Sequence, residues 1–263
     1  MNQKAFLLPV ILLLCFIGQA VSAQVVRKPI PDKLVVLTFD DAVKSHYTFV
    51  APLLKKYGFG ATFYVCEFPK PAFSDTSLYM SWPQIQELSK MGFEIGNHTW
   101  HHAHVSKLDK AGLEKELTYI EQKCDSLQIP KPVTFAYPGY DTRASANSTL
   151  QSLGYQLARI GGTRVYDPNT DHPFYIPSFS TAVVDKQIIL DAIQQARDGK
   201  IVVLTVHGVP DEAHNWVTTA PALFEEFLKY LHDHEYTVIA MKDLLPYIDL
   251  QKAMQLPVPV RKL

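Results

Sequence analysis

The chain has 263 residues, with 25 Lys and Arg against 26 Asp and Glu, a net charge of −1. That balance gives no electrostatic footing for nucleic acid or an anionic membrane surface, so neither is expected as a partner. Behind Lys4, the apolar run from Ala5 to Ile17 and the small residues Val21-Ser22-Ala23 read as a secretory signal peptide over residues 1–23. The run is too short for a membrane span, which needs about 20 residues. Cys15 is a poor lipoprotein cysteine because Leu14 and Phe16 flank it. The protein is therefore expected to be exported, periplasmic or extracellular, with no stable membrane span after cleavage. Residues 24–32 form an extension, 33–250 a single folded domain and 251–263 a tail. About 240 residues suffice for one large α/β core. Cys66 and Cys124 are expected as buried thiols, a disulfide being the alternative in an oxidising compartment.

In chain order, an apolar β-branched run at 34–39 ends in Thr38-Phe39-Asp40-Asp41. A helical pattern over 49–57 leads to Gly58, a suitable C-terminal cap. A strand at 61–65 follows, then a helix over 81–91 that opens with Ser81 and Gln84 at capping-box spacing. The strand at 93–97 runs into Asn97-His98-Thr99-Trp100-His101-His102-Ala103-His104. A long Glu- and Lys-rich helix over 106–127 comes next. The strand at 133–137 runs into Pro138-Gly139-Tyr140, and a strand at 155–160 follows. A helix over 185–198, a strand at 201–207 ending in His207-Gly208, a helix over 219–232 and a strand at 236–241 complete the pattern. Seven strands alternating with helices predict an α/β fold built on a parallel sheet, closed or nearly closed into a barrel. No GxGxxG motif follows the first strand, which weakens the open dinucleotide-binding alternative. In either form the functional residues belong at the C-terminal strand ends.

Each polar cluster lies at such an end. Asp40 and Asp41 point to opposite sides of an extended chain and so suit different roles. Four of the ten histidines fall within residues 98–104, a metal-site candidate in which His98 shares a helical face with either His101 or His102. His207 ends a very apolar strand and is presented into a pocket. The Tyr137 to Tyr140 loop offers an aromatic wall and free backbone N–H groups. Two histidines and a carboxylate leave an open position for water in a catalytic metal site, and a second carboxylate can take the water proton. No GxSxG nucleophile elbow is present, so covalent acyl transfer has no evident machinery.

These motifs resemble those of the polysaccharide deacetylases, carbohydrate esterase family four, with its NodB-like homology domain. Thr38-Phe39-Asp40-Asp41 matches the family's first motif, His98-Thr99-Trp100-His101-His102 its H-T-x-x-H motif, and Leu204-Thr205-Val206-His207 its last. The likeness runs from about residue 33 to 245. It implies a distorted (β/α)7 barrel and one divalent metal, usually zinc, held by Asp41, His98 and His102. It further implies Asp40 as base, His207 as acid, and an oxyanion held by the metal and a backbone N–H at Gly139. The implied activity is metal-dependent removal of acetyl groups from an N-acetylated polysaccharide or oligosaccharide. An O-acetyl esterase or a non-catalytic carbohydrate-binding protein on the same scaffold is the alternative. The sequence departs from the family in two places. Ala136 stands where an Arg often pairs with the base, and the Asp and Trp of the fourth motif have no counterpart after Tyr155. Arg159 is expected to replace the missing cation and to approach Asp40.

Overall fold

The computed structural model describes residues 25–182 and 185–259. The expected signal peptide lies outside them. The elements are β1 (Leu34–Phe39), α1 (Ala51–Tyr57), β2 (Thr62–Val65), α2 (Trp82–Lys90), β3 (Glu94–Asn97), α3 (Lys110–Ser126), β4 (Thr134–Ala136), α4 (Ala146–Ser152), β5 (Leu157–Arg159), β6 (Phe179–Ser180), α5 (Lys186–Ile193), β7 (Val202–Val206), α6 (Pro221–Asp233), β8 (Thr237–Ile239) and α7 (Leu250–Ala253). All strand pairs are parallel, in the order β5-β4-β3-β2-β1-β7-β6. The ring closes through one short segment. Arg159 at the end of β5 bridges Ile176, and three residues on β6 pairs with β7. The distortion sits at β1. Its last two residues pair with β2, while Leu34 to Val36 pair with β8.

Helix starts follow local chemistry. Gln84 reaches back to the Ser81 N–H at 3.0 Å, as the capping-box spacing predicts. The helix expected from Ser106 begins instead at Lys110. Asp109 caps it by accepting from the Gly112 N–H, and Val105–Lys107 form a separate 3₁₀ turn. Three elements are additions to the sequence reading: α4, the two-residue β6 and the one-turn α7. Cys66 and Cys124 are both free and buried.

Strand alternation divides the core. Val35, Leu37, Phe39, Val202, Leu204 and Val206 pack outward against α1, α5 and α6 residues such as Leu54, Ile193, Phe224 and Phe227. The other parity faces the barrel interior. At its N-terminal end Leu34, Val36, Leu157, Ile201 and Val203 form an apolar floor, closed by Val25, Ile30, Met241, Leu244 and Ile248. The N-terminal extension and the last turns of the domain thus meet beneath the barrel, where Val26 bridges Ile248. Midway up, Thr62 and Thr134 donate to the buried Glu94 carboxylate. Gly96 lies on β3 at this level because a Cβ there would sit 2.4 Å from the Tyr64 ring. At the C-terminal mouth the inward positions become Asp40, His98, Arg159 and His207.

Candidate active site

Asp40 and Asp41 follow β1 directly. Alternation predicts that they diverge, but Asp41 has φ 77° and Ala42 φ 52°. This left-handed turn, which Asp tolerates better than most residues, brings both carboxylates to the same mouth. His98 Nε2 lies 3.4 Å from Asp41 Oδ1 and 3.9 Å from Asp40 Oδ2. His102 Nε2 lies 3.5 Å from the same Asp41 Oδ1. The two histidines do not share a helical turn as their spacing suggests. Residues 98–104 form a loop in which Thr99 (φ 60°) and His102 (φ 53°) are also left-handed. Four such residues around one site are a concentration of backbone strain of the kind found at functional sites.

Asp41, His98 and His102 bring one ligand atom each to within 4.8 Å of one another. The donor chemistry fits a divalent metal. Asp41 Oδ1 is buried and hydrogen-bonded to no protein group. His98 donates its Nδ1–H to the Ala136 carbonyl at 2.8 Å, which leaves the Nε2 lone pair turned toward Asp41. Burial would raise the Asp41 pKa, but the His98 contact and the charges of His98, His102 and His207 hold it below the usual carboxylate range. Burial, then the charge of His98, lowers His102 to about 4, so its imidazole is neutral near pH 7.

His101 lies outside this cluster. Its ring and backbone N–H both bond Glu116, at 2.9 and 2.8 Å. His104 also stands apart, 3.8 Å from Asp141. Glu67 anchors the loop from the other side, accepting from the Trp100 indole, the Trp82 indole and the Tyr119 hydroxyl.

Arg159 is fully buried, with its guanidinium 2.5 Å from Asp40 Oδ2. A second arm donates to Thr205 Oγ1, which donates on to Ser178. The rings of Tyr64 and Tyr140 each lie 5.5 Å from the guanidinium carbon. Burial disfavours the charge, but Asp40 outweighs it and raises the Arg159 pKa. Asp40 Oδ1 is left buried without a hydrogen-bond partner. His207 Nε2 stands 3.9 Å from Asp41 Oδ2, and its carbonyl accepts from the buried His46.

The Pro138–Tyr140 turn borders the site. Its own hydrogen bonds are donated by the Tyr140 and Asp141 N–H groups, and Gly139 N–H takes part in neither. Gly139 has φ 57°, and a Cβ there would lie 2.7 Å from the His104 ring, so a larger residue would strain the backbone and displace that ring. Tyr137 and Tyr140 both border the cavity, but the Tyr137 ring itself packs with Phe135 and Tyr175 in the cluster on the outer face of β4.

The cavity at this mouth measures ≈ 440 Å³. It is completed by residues to which no motif pointed. His214 Nδ1 lies 3.8 Å from Asp41 Oδ2 and 3.6 Å from Asp211 Oδ1, and Tyr79 bonds its Nε2 at 3.1 Å. Phe68 stacks between His102 and His214. Only their place in loops at the C-terminal strand ends marked them in the sequence.

The family model for polysaccharide deacetylases matches residues 27–158. A chitin deacetylase of Pestalotiopsis sp is 32% identical over 121 residues, 46% of this chain and 39% of that protein. The peptidoglycan-N-acetylglucosamine deacetylase of Bacillus cereus is 26% identical over 220 residues, 83% of this chain and 91% of that protein. The match to the chitin deacetylase therefore spans about two fifths of that relative's length. In fold, a Mycobacterium smegmatis structure described as a candidate polysaccharide deacetylase superposes with a TM-score of 0.63 at 15% identity, covering 92% of this chain and 99% of that one. The match across half of the sequence, carried on a distorted α/β barrel, establishes that the chain belongs to the polysaccharide deacetylase family.

Proposed function

We propose that the protein is an exported, metal-dependent hydrolase that removes acetyl groups from an N-acetylated polysaccharide or oligosaccharide. The observation that carries this reading is the convergence of the Asp41, His98 and His102 ligand atoms beside a second, Arg-paired carboxylate at one barrel mouth. Two relatives, a chitin deacetylase and a peptidoglycan-N-acetylglucosamine deacetylase, favour a glycan bearing N-acetylglucosamine.

Asp41, His98 and His102 would hold one divalent ion. Two imidazoles and a carboxylate suit Zn2+, and cobalt, nickel or iron fit the same set. Such an ion supplies Lewis acidity to the acyl carbonyl and the attacking water. Asp40 takes the water proton through Oδ1, because Arg159 occupies Oδ2 and fixes the carboxylate's orientation. Arg159 thereby fills the role left open by Ala136. Its two-armed contact with Asp40 and Thr205 is one that a lysine would not reproduce. The Gly139 N–H faces no partner in its own turn and serves as the preorganised donor to the developing oxyanion, a contact of about 3 kcal/mol. His207 donates the proton to the leaving amine.

Metal analysis tests the ligand assignment. His102→Ala is expected to lose the bound metal, while His101→Ala, whose imidazole is engaged by Glu116, retains a full equivalent. The reverse result would overturn it.

A further inference from the structure

The loop from Gly208 to Thr219 is not used by the deacetylation chemistry, yet it is built with care. Asp211 accepts from the backbone N–H groups of Gly208 and His214, and its own N–H donates to Thr218. Thr219 closes the loop onto the Gly208 carbonyl, and Val209 N–H donates to Ser45. Gly208 leaves room for the tuck, since a Cβ there would meet Asp211 at 2.4 Å. What this loop presents is Trp216. It is 68% exposed, one of two large exposed hydrophobic side chains among the described residues, and it lines the active-site cavity.

The other two tryptophans spend their indole N–H groups on Glu67. No side chain or carbonyl among the described residues takes the Trp216 N–H. A single imidazole separates Trp216 from the ligand cluster. The His214 ring is 5.4 Å from the Trp216 ring, edge to face, and its Nδ1 is 3.8 Å from Asp41. An indole with an exposed face and a free N–H is amphipathic in the way a sugar ring is. The face covers axial C–H groups, and the N–H meets a hydroxyl. Because the loop is already braced, little ordering entropy is lost on contact.

We propose that Trp216 is a sugar-stacking platform that binds the pyranose next to the one losing its acetyl group, so that the gain in affinity from a monosaccharide to a longer chain runs through this one side chain. This rests on the deacetylase reading of the adjoining site. Asp211 is a positioning residue for the platform, and His214 spaces it from the reacting centre.

Two measurements with N-acetylglucosamine oligosaccharides, β-1,4- and β-1,6-linked, from monosaccharide to hexasaccharide, test it. In titrations of the intact protein, with and without metal, intrinsic fluorescence should change with the longer oligosaccharides but not with the monosaccharide, and Trp216→Ala should abolish the change. In steady-state assays, Trp216→Ala should raise KM for the tetrasaccharide about ten-fold, the size of one good aromatic contact, with kcat far less affected and Trp216→Phe partly restoring it. A fluorescence response that persists in Trp216→Ala, or the same gain in kcat/KM with chain length in that variant, would overturn the platform while leaving deacetylation intact. Trp216-dependent binding without acetate release would have the opposite meaning. It would sustain the platform and sink the hydrolase reading.

Discussion

At the N-terminal ends of β1 and β7 the inward side chains are Leu34, Val36, Ile201 and Val203, sealed from below by Met241 and Leu244. A few residues further along the same two strands the inward positions deliver Asp40 and His207. The floor is apolar and regular. At the mouth, Asp41, Ala42, Thr99, His102 and Tyr140 all have left-handed backbones. Buried Asp40 Oδ1, Asp41 Oδ1, His207 Nδ1 and His214 Nδ1 lack hydrogen-bond partners there. The floor has one comparable orphan, the Tyr166 hydroxyl, for which the structure offers no account. One sheet therefore does two jobs. Its lower half supplies burial, and that burial offsets the cost of strain and unpaired polar groups held at the upper half.

Substitutions at the two ends should therefore fail in different ways. The largest effect belongs to Asp40→Asn. Removing the proton acceptor while keeping its shape should lower kcat by at least about 10²–10⁴-fold, with metal content unchanged. Loss of the metal along with activity would make Asp40 a ligand and exchange the roles of the pair.

At the floor, Leu34→Ala should cost about 2–5 kcal/mol in unfolding free energy, because a fully buried side chain leaves a cavity. The folded fraction should keep its wild-type kcat/KM and metal content. A selective loss of activity in that variant would break the division between the two ends.

His46 sharpens the comparison, since it lies buried on the outer side of the sheet, packed on Phe39 and Phe63 and donating to the His207 carbonyl at the mouth. Burial lowers its pKa from 6.5 to about 4. The unfolded chain therefore binds a proton between those values that the folded chain refuses, and stability falls as pH drops through that window. The loss is on the order of 3 kcal/mol by pH 4 and absent above pH 7. His46→Gln preserves a donor to His207 without the titration. Its stability should depend less on pH between 6.5 and 4 than that of the wild type, as read from denaturant midpoints. An identical slope would place the acid lability elsewhere.

Much of this was legible in the sequence, for physical reasons. The seven apolar, β-branched runs correspond to β1–β5, β7 and β8 because buried parallel strands need continuous hydrophobicity. The residues of the mouth stood out because carboxylates and histidines at the ends of such runs have no place in a core. Helix α4 did not stand out, since Ala146–Ser152 is rich in Ser, Asn and Thr, which compete with the helix backbone. Strand β6 is two residues long and leaves no period to read. The approach of Arg159 to Asp40 could be expected from strand order, whereas the turn that swings Asp41 to the same side could not. No pattern marks an aspartate that adopts φ 77°. His214 and Trp216 were invisible because a braced loop brings them to the site, and its bracing comes from Asp211, Ser45 and Thr218, residues of ordinary loop composition.

The measurement that tests the central claim most directly is acetate release from N-acetylglucosamine oligosaccharides by the metal-loaded protein, repeated after chelation and after metal is returned. The account predicts acetate release that tracks one equivalent of metal, disappears with the chelator and returns with Zn2+. Absence of acetate from every amide and ester substrate, by protein that retains a full equivalent of metal, would contradict it and leave a carbohydrate-binding protein on a deacetylase scaffold.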